Sequence, residues 1–401
     1  MKEYISLLKS HPVLFRLSTI QLISYFGAWF SNVAIYTLLL EMNVSAQIVA
    51  FVAMLHFLAG VIQAPISGVI IDRMSPKKLM LSLISIEIIA TFCLIFITEL
   101  SDLWLLYILI FLKMAAASFY FTTEMSLLPK ILDGDKLQKA NEIHSIIWSL
   151  SYTLGMAISG FVVYALGVKF AFILDASFFV MAFYLLFILE IKMIMHPLQE
   201  KFLSMMVDTF SYLGRTPRAL YLIIVHAFVG LTAFDALVAL MVDQYYASVI
   251  ATSLALGLIH SARALGLVIG PIIFGKWITN KRIIYLFIGQ GFAVWIWAYM
   301  MHDFYLSLIA SVLVGLFTTT LWSYTYTLLQ KNIDEKYYGR IVAYNDMMFL
   351  GSAAFTSYMI GFLATHDFSL EYIAIIMGLA FMVGGIYFAW VLNKEKLEEI
   401  S

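Results

Sequence analysis

Twelve stretches of about twenty or more mostly apolar residues follow one another along this chain. They lie near 14–40, 46–71, 77–99, 103–128, 138–165, 168–191, 218–242, 249–275, 282–301, 304–329, 340–364 and 369–392. A helix needs about 20 such residues to cross the hydrocarbon core of a bilayer. Membrane barrels are instead built from alternating segments of about ten residues, and these runs are too long and too uniformly apolar for that. Composition agrees: 63% of the 401 residues are hydrophobic and 12% are charged, against about 25% charged in a soluble domain. The bilayer must therefore act as the solvent. The sequence predicts an all-α integral membrane protein of twelve transmembrane helices.

Most connections between the runs are short. The exception, residues 192–217, is partly amphipathic and separates an N-terminal six-helix bundle (1–191) from a C-terminal one (218–401). Lysine and arginine placement orients the chain. Lys113 and Arg263 fall within spans and Lys169 in a connection on one side, while every other Lys and Arg lies on the opposite side or near it. The positive-inside rule then predicts that both termini are cytoplasmic, and the expected location is the inner (plasma) membrane. The first apolar segment runs to about Leu40 without a small-residue cleavage site, so it reads as a retained span and not as a removed signal peptide. Cys93 is the single cysteine, which leaves no disulfide framework or thiol pair.

The halves repeat. "LLPKILD" (127–133) matches "LLQKNID" (328–334), and at the same offset Ser151 meets Ser352 and Gly160-Phe161 meets Gly361-Phe362. Gly60 and Pro65 similarly match Gly266 and Pro271. Parallel repeats of this kind imply a pseudo-two-fold axis along the membrane normal, as in transporters whose halves rock about a midplane site.

One dense burst of charge, "GVIIDRMSPKK" (68–78), falls in the inner loop between the second and third spans. Its pattern of Gly68, Asp72, Arg73, Lys77 and Lys78 resembles the signature loop of the major facilitator superfamily. With twelve spans, two halves and a long central loop, the resemblance covers essentially the whole chain. It is nearest to the multidrug and macrolide efflux branch that includes enterobactin exporters, through "LLPKILDGDKLQKAN" (127–141) and "DEKYYGRIVAY" (334–344). Other motifs are altered. "LKMAAAS" has Lys113 where that family usually has Arg, and "GMAISG" keeps Gly155 and Gly160 of an antiporter stretch while Met156 replaces its proline. The resemblance implies a gating role for the loop at 68–78. It also implies that spans one, four, seven and ten line a central cavity.

A charge inside a span costs about 2.5–3.5 kcal/mol on insertion scales, so each needs a reason. Lys113 lies near mid-depth in span four, and Glu124, eleven residues later, returns to nearly the same helix face. Asp235 in span seven and Arg263 in span eight fall at similar depth and form a candidate pair. A carboxylate beside a cation can exchange a proton when its surroundings change, or can serve as a permanent strut. These four residues are the candidates for substrate binding or proton coupling. Asp243 and Glu124, nearer the rims, can also gate or snorkel. Glu87, Asp175 and Asp346 read as structural or interfacial. His56, His226 and His260 have no shared ligand spacing, so they read as packing residues and no metal site is expected. Trp29, Phe30, Phe119, Tyr120, Trp322, Tyr324 and Tyr326 supply aromatic surface for either a cavity wall or helix packing.

The expected function is secondary active export of small amphipathic or hydrophobic compounds by proton antiport, with a small-molecule substrate, protons and the lipid bilayer as partners. The same fold also suits a metal, metal chelate, siderophore or lysophospholipid as cargo. A receptor or intramembrane enzyme would need a sensing domain or paired catalytic residues, and neither is visible in the sequence. No nucleotide-binding loop of the form G-x-x-x-x-G-K-[ST] occurs, so no cofactor is expected. No nucleic-acid partner is expected either, and the chain is expected to function as a monomer.

Overall fold

The computed structural model describes residues 2–132, 134–190, 202–334 and 337–397. Within them, the side chains of residues 2–3, 65–66, 68–69, 72, 129–130, 134–135, 138, 141, 202–207 and 338 lie outside the description. The described residues are helical with short connections and contain no strand. Among the described residues, twelve helical segments are long and apolar enough to cross a membrane.

A short N-terminal helix and the first spans build the first part of the chain: α1 (Lys2–Ser10), α2 (Pro12–Glu41), α3 (Ala46–Arg73), α4 (Pro76–Cys93), α5 (Leu103–Ile131), α6 (Gly134–Leu166) and α7 (Val168–Ile188). Then come the linker helix α8 (Phe202–Arg215), α9 (Pro217–Ala227), α10 (Asp235–Met241), α11 (Thr252–Phe274), α12 (Ile283–Met300), α13 (Phe304–Lys331), α14 (Tyr338–Thr365) and α15 (Leu370–Lys394). Local sequence fixes several ends. Pro12, Pro76 and Pro217 open α2, α4 and α9, where a missing N–H costs nothing. Asp303 caps α13 by accepting from the Leu306 N–H at 2.9 Å. Gly167 turns the chain from α6 into α7 at φ +83, a region closed to most side chains.

The chain divides into two compact units, Met1–Asn43, Ile62–Leu198 and Leu256–Ser261 in one, and Val44–Val61, Gln199–Ala255 and Ala262–Ser401 in the other. In the first unit α2 packs against α6 and α7, and α4 against α5 and α7. Leu17, Ile84, Leu127, Phe179 and Leu186 form the apolar centre, each at most 1% exposed. A second cluster of Leu7, Leu14, Leu128 and Ile143 seats α1. Tyr4 adds a hydrogen bond, donating to Glu142 Oε2 at 2.8 Å.

In the second unit α12 packs along α15. A side chain at Gly291 would meet the Gly378 carbonyl at 2.7 Å, so backbone packs on backbone there. The crossing of α11 and α13 is equally tight. Gly266, Gly270 and Gly315 face the opposing backbone with no room for a Cβ. In a membrane, where lipid tails are as apolar as leucine, such small-residue contact is the main source of helix–helix attraction.

The seventh span, Pro217–Tyr246, is not one continuous α-helix. After α9 the chain tightens into a 3-10 turn over Phe228–Thr232, breaks at Ala233 and Phe234, and restarts as α10. A π-helical turn, Val242–Tyr246, ends it. Broken helix at membrane depth is tolerated only where other groups re-satisfy the freed backbone. Here Arg263 donates to the Thr232 carbonyl at 2.8 Å, and Thr232 Oγ1 donates to the Val229 carbonyl at 2.8 Å. Gly230 lets α14 approach, since a Cβ at that position would sit 2.5 Å from the Phe349 carbonyl oxygen.

Candidate functional site

Lys113 of α5 is 2% exposed, and its ammonium donates to Asp175 Oδ2 of α7 at 2.7 Å. The Ser31 hydroxyl of α2 donates to the same carboxylate oxygen. Gly27, one turn before Ser31, leaves the space that Asp175 Oδ1 occupies. The Phe179 ring lies 5.3 Å from the ammonium, and Asp175 itself is fully buried. Three helices thus meet on one buried ion pair. Reading Lys113 by depth alone aimed it at a cavity with Glu124 and left Asp175, read as structural or interfacial, without a partner. In the structure the two are each other's partner. The missed signal was available: both lie in the first half of spans that run in the same direction.

Glu124 is also buried, at 2% exposure. Its Oε2 has no hydrogen-bond partner, and neither do the hydroxyls of Tyr25 on α2 and Tyr120 on α5. Both tyrosines lie within electrostatic reach of the Glu124 carboxyl. Glu87 of α4, 3% exposed, is near the Lys113–Asp175 pair and the same two tyrosines. Only Lys113 pairs with an acid in this group, so Glu87 and Glu124 have no ion-pair partner among the described residues.

Aromatic rings gather beside this set. His144 of α6 meets Tyr25 edge-on at 5.8 Å and Phe121 at 5.2 Å, and it contacts Gln21. Further along, Trp29 packs edge-on against Trp148 and Tyr152, which stack on each other at 5.6 Å. Gly155 brings α6 onto α2, with Trp29 Cβ 3.0 Å from where its own Cβ would be. Ser159 then donates to the Phe30 carbonyl at 2.6 Å. Within the same unit Gly257 packs against the Met156 carbonyl and Gly160. The two retained motif glycines are therefore packing sites, and Ser159 adds a hydrogen bond between α6 and α2.

In the second unit, Asp235 is half-buried and opens α10. The Arg263 guanidinium lies 5.0 Å from the Phe234 ring and holds the Thr232 carbonyl, so it is anchored on the residues just before Asp235. His226 is fully buried. It shares a 2.7 Å hydrogen bond between Nδ1 and Thr325 Oγ1 and is boxed by Trp322, Tyr326 and Phe349. Tyr324 donates to Asn280 at 2.7 Å. His56 and His260 are elsewhere, and no group of three or more metal-ligating residues occurs among the described residues.

The charged loop is described in part. Lys77 donates to the Phe187 carbonyl at 2.7 Å and lies over the Phe187 ring, which ties the start of α4 to the end of α7. Arg73 and Lys78 are exposed. The side chains of Gly68 and Asp72 lie outside the described residues. At the other motif, α8 docks on the start of α14. Tyr337 and Arg340 both donate to Asp208, at 3.2 and 3.4 Å, and Tyr212 stacks on Tyr337 at 4.0 Å.

A family model described as Major Facilitator Superfamily matches residues 17–255 and 220–400. Among curated proteins, the "Uncharacterized MFS-type transporter YfiS" of Bacillus subtilis (strain 168) is 26% identical over 185 residues, 46% of this chain and 43% of that protein. YkuC of the same organism, described in the same words, is 28% identical over 117 residues, 29% of this chain and 27% of that protein. The matched region thus spans less than half the length of either relative. Solved structures resemble the fold across nearly the whole chain. The nucleoside transporter NupG aligns with a TM-score of 0.72 at 12% identity, covering 96% of this chain and 100% of that one. A D-xylose-proton symporter aligns at 0.73 and 12% identity, covering 94% and 97%. Identity at that level speaks to the fold alone.

Proposed function

Because the chain belongs to the Major Facilitator Superfamily and is a multi-pass membrane transporter, we propose that it exports small amphipathic or hydrophobic compounds by proton antiport, through alternating access of its two six-span halves. The observation that carries the reading is an imbalance of buried charge among the described residues of the first unit, where Glu87, Glu124 and Asp175 are all buried and only Asp175 is ion-paired, with Lys113. Acids buried in a bundle without a cation mark proton pathways in pumps and transporters, because nothing else repays their insertion. The adjoining rings of Tyr25, Trp29, Trp148 and Tyr152 suit a cargo with an apolar body and a few polar groups. The direction of transport rests on the resemblance of its motifs to efflux proteins.

Counterflow in proteoliposomes of the purified full chain tests the cargo class. A panel of amphipathic dyes, a nucleoside, a pentose, a dipeptide, a chelated metal and a lysophospholipid is offered against each preloaded compound. Exchange of the dyes is expected. Exchange confined to the nucleoside, pentose or dipeptide would refute the cargo class, and exchange of the chelate or lysophospholipid alone would replace it.

A further inference from the structure

Three polar atoms from two helices lie buried in the first unit without a hydrogen-bond partner, in residues within electrostatic reach of one another: Glu124 Oε2, the Tyr25 hydroxyl and the Tyr120 hydroxyl, the last one helical turn from Glu124. A buried polar atom left unpaired is destabilising, so three in one region require a reason. The arrangement has a simple chemical meaning. A neutral carboxyl makes little demand on surrounding donors, whereas a carboxylate accepts strong hydrogen bonds from hydroxyls. Two O–H groups within electrostatic reach of one carboxyl, neither of them bonded to it, fit the neutral member of a pair of states.

We propose that Glu124 is an exchangeable proton site, and that Tyr25 and Tyr120 are positioning residues whose hydroxyls turn onto its carboxylate when the proton leaves. The step balances within the site: the proton leaves Glu124 for water, and two O–H···O bonds form around the charge that remains. The inference rests on the proton-exchange reading above and deepens it by naming the atoms. It also separates the roles of the buried charges. Lys113 is committed to Asp175 and acts as a strut, while Glu124 is the group free to change state.

Other polar and titratable groups face this site. Glu87 of α4 lies within electrostatic reach of both tyrosines, and His144 of α6 lies against the Tyr25 ring; beyond Glu87, and nearer to it than to Glu124, is the Lys113–Asp175 pair. The Gln21 amide lies near the Tyr25 hydroxyl, but its nitrogen is engaged with His144. Glu87 is the one most able to confuse a measurement, because it too lacks an ion-pair partner among the described residues. The test therefore uses a Glu87→Gln background.

Infrared difference spectra of the purified full chain, recorded across a pH series, follow the carbonyl stretch of protonated carboxyls and need no cargo. In the Glu87→Gln protein one buried carboxyl band is expected to titrate, and Glu124→Gln is expected to remove it. Tyr25→Phe and Tyr120→Phe keep the rings and delete one donor each. Each should move the midpoint to higher pH by about one to two units, the loss of one hydrogen bond to a charged group. A band that survives Glu124→Gln overturns the assignment of the proton. Midpoints unmoved in both tyrosine variants overturn the positioning role, and these two conservative variants carry the test if Glu124→Gln fails to fold. Loss of the band together with cargo movement that ignores a proton gradient would support Glu124 as a proton site and refute antiport, so the two readings fail separately.

Discussion

Lys113 and Asp175 show how one buried pair constrains several helices. Removing one partner from a buried ion pair leaves the other as an uncompensated charge, at a cost of about 3–5 kcal/mol. Lys113→Met or Asp175→Asn alone should therefore lower the thermal unfolding temperature of the purified protein sharply. The double variant removes both charges and should recover most of that loss. Additive losses in the double variant would show that the pair does not form. The residues concerned were visible in the sequence as costly charges in apolar runs, but their partnership was not. Depth along a span says which charges lie at one level; which face each helix turns to its neighbour depends on packing that no single span records. The same limit hid the approach of Glu124 to Tyr25, which lies on another helix.

Helices were legible wherever apolar length alone decides them. The run read at 103–128 is α5, and the run at 369–392 is α15, displaced by a few residues at their ends. The seventh span was legible as a span and not as a broken one. Its sequence "HAFVGLTAFD" holds no proline, and the break is stabilised from outside by Arg263 on the Thr232 carbonyl and by the approach of α14 to Gly230. Arg263→Met should leave that carbonyl without its donor. Faster hydrogen exchange over residues 228–235 is expected, with α12 and α15 unchanged, whereas unchanged exchange there would contradict the anchoring role. The linker helix makes a second prediction at this scale. Arg340→Ala together with Tyr337→Ala removes the donors to Asp208 and the ring under Tyr212, so a spin label on exposed Ser211 should become more mobile. An unchanged spectrum would mean that α8 is held by other contacts. The motif "DEKYYGRIVAY" resembled an efflux branch in sequence, and part of its physical work here is to dock this helix.

For the whole molecule, twelve spans followed from residue type and run length, and membership of the superfamily followed from the order and number of those spans with a few motifs. Orientation makes its own prediction. With lysine and arginine crowded on one side, a cysteine placed in the N-terminal segment of intact cells should resist a membrane-impermeant thiol reagent. One placed beside Lys169 should react. The reverse labelling would invert the topology and with it the meaning of export. Antiport, finally, is a statement about two fluxes. Proteoliposomes containing the full chain are equilibrated with ethidium on both sides and then given an imposed pH gradient, interior acid or interior alkaline, with the uncoupled condition as baseline. Interior acid should drive ethidium inward against its concentration gradient as protons leave, and reversing the pH gradient should reverse the flux. Ethidium that moves in the same direction as the protons, or moves equally in both gradients and with an uncoupler, would contradict proton antiport.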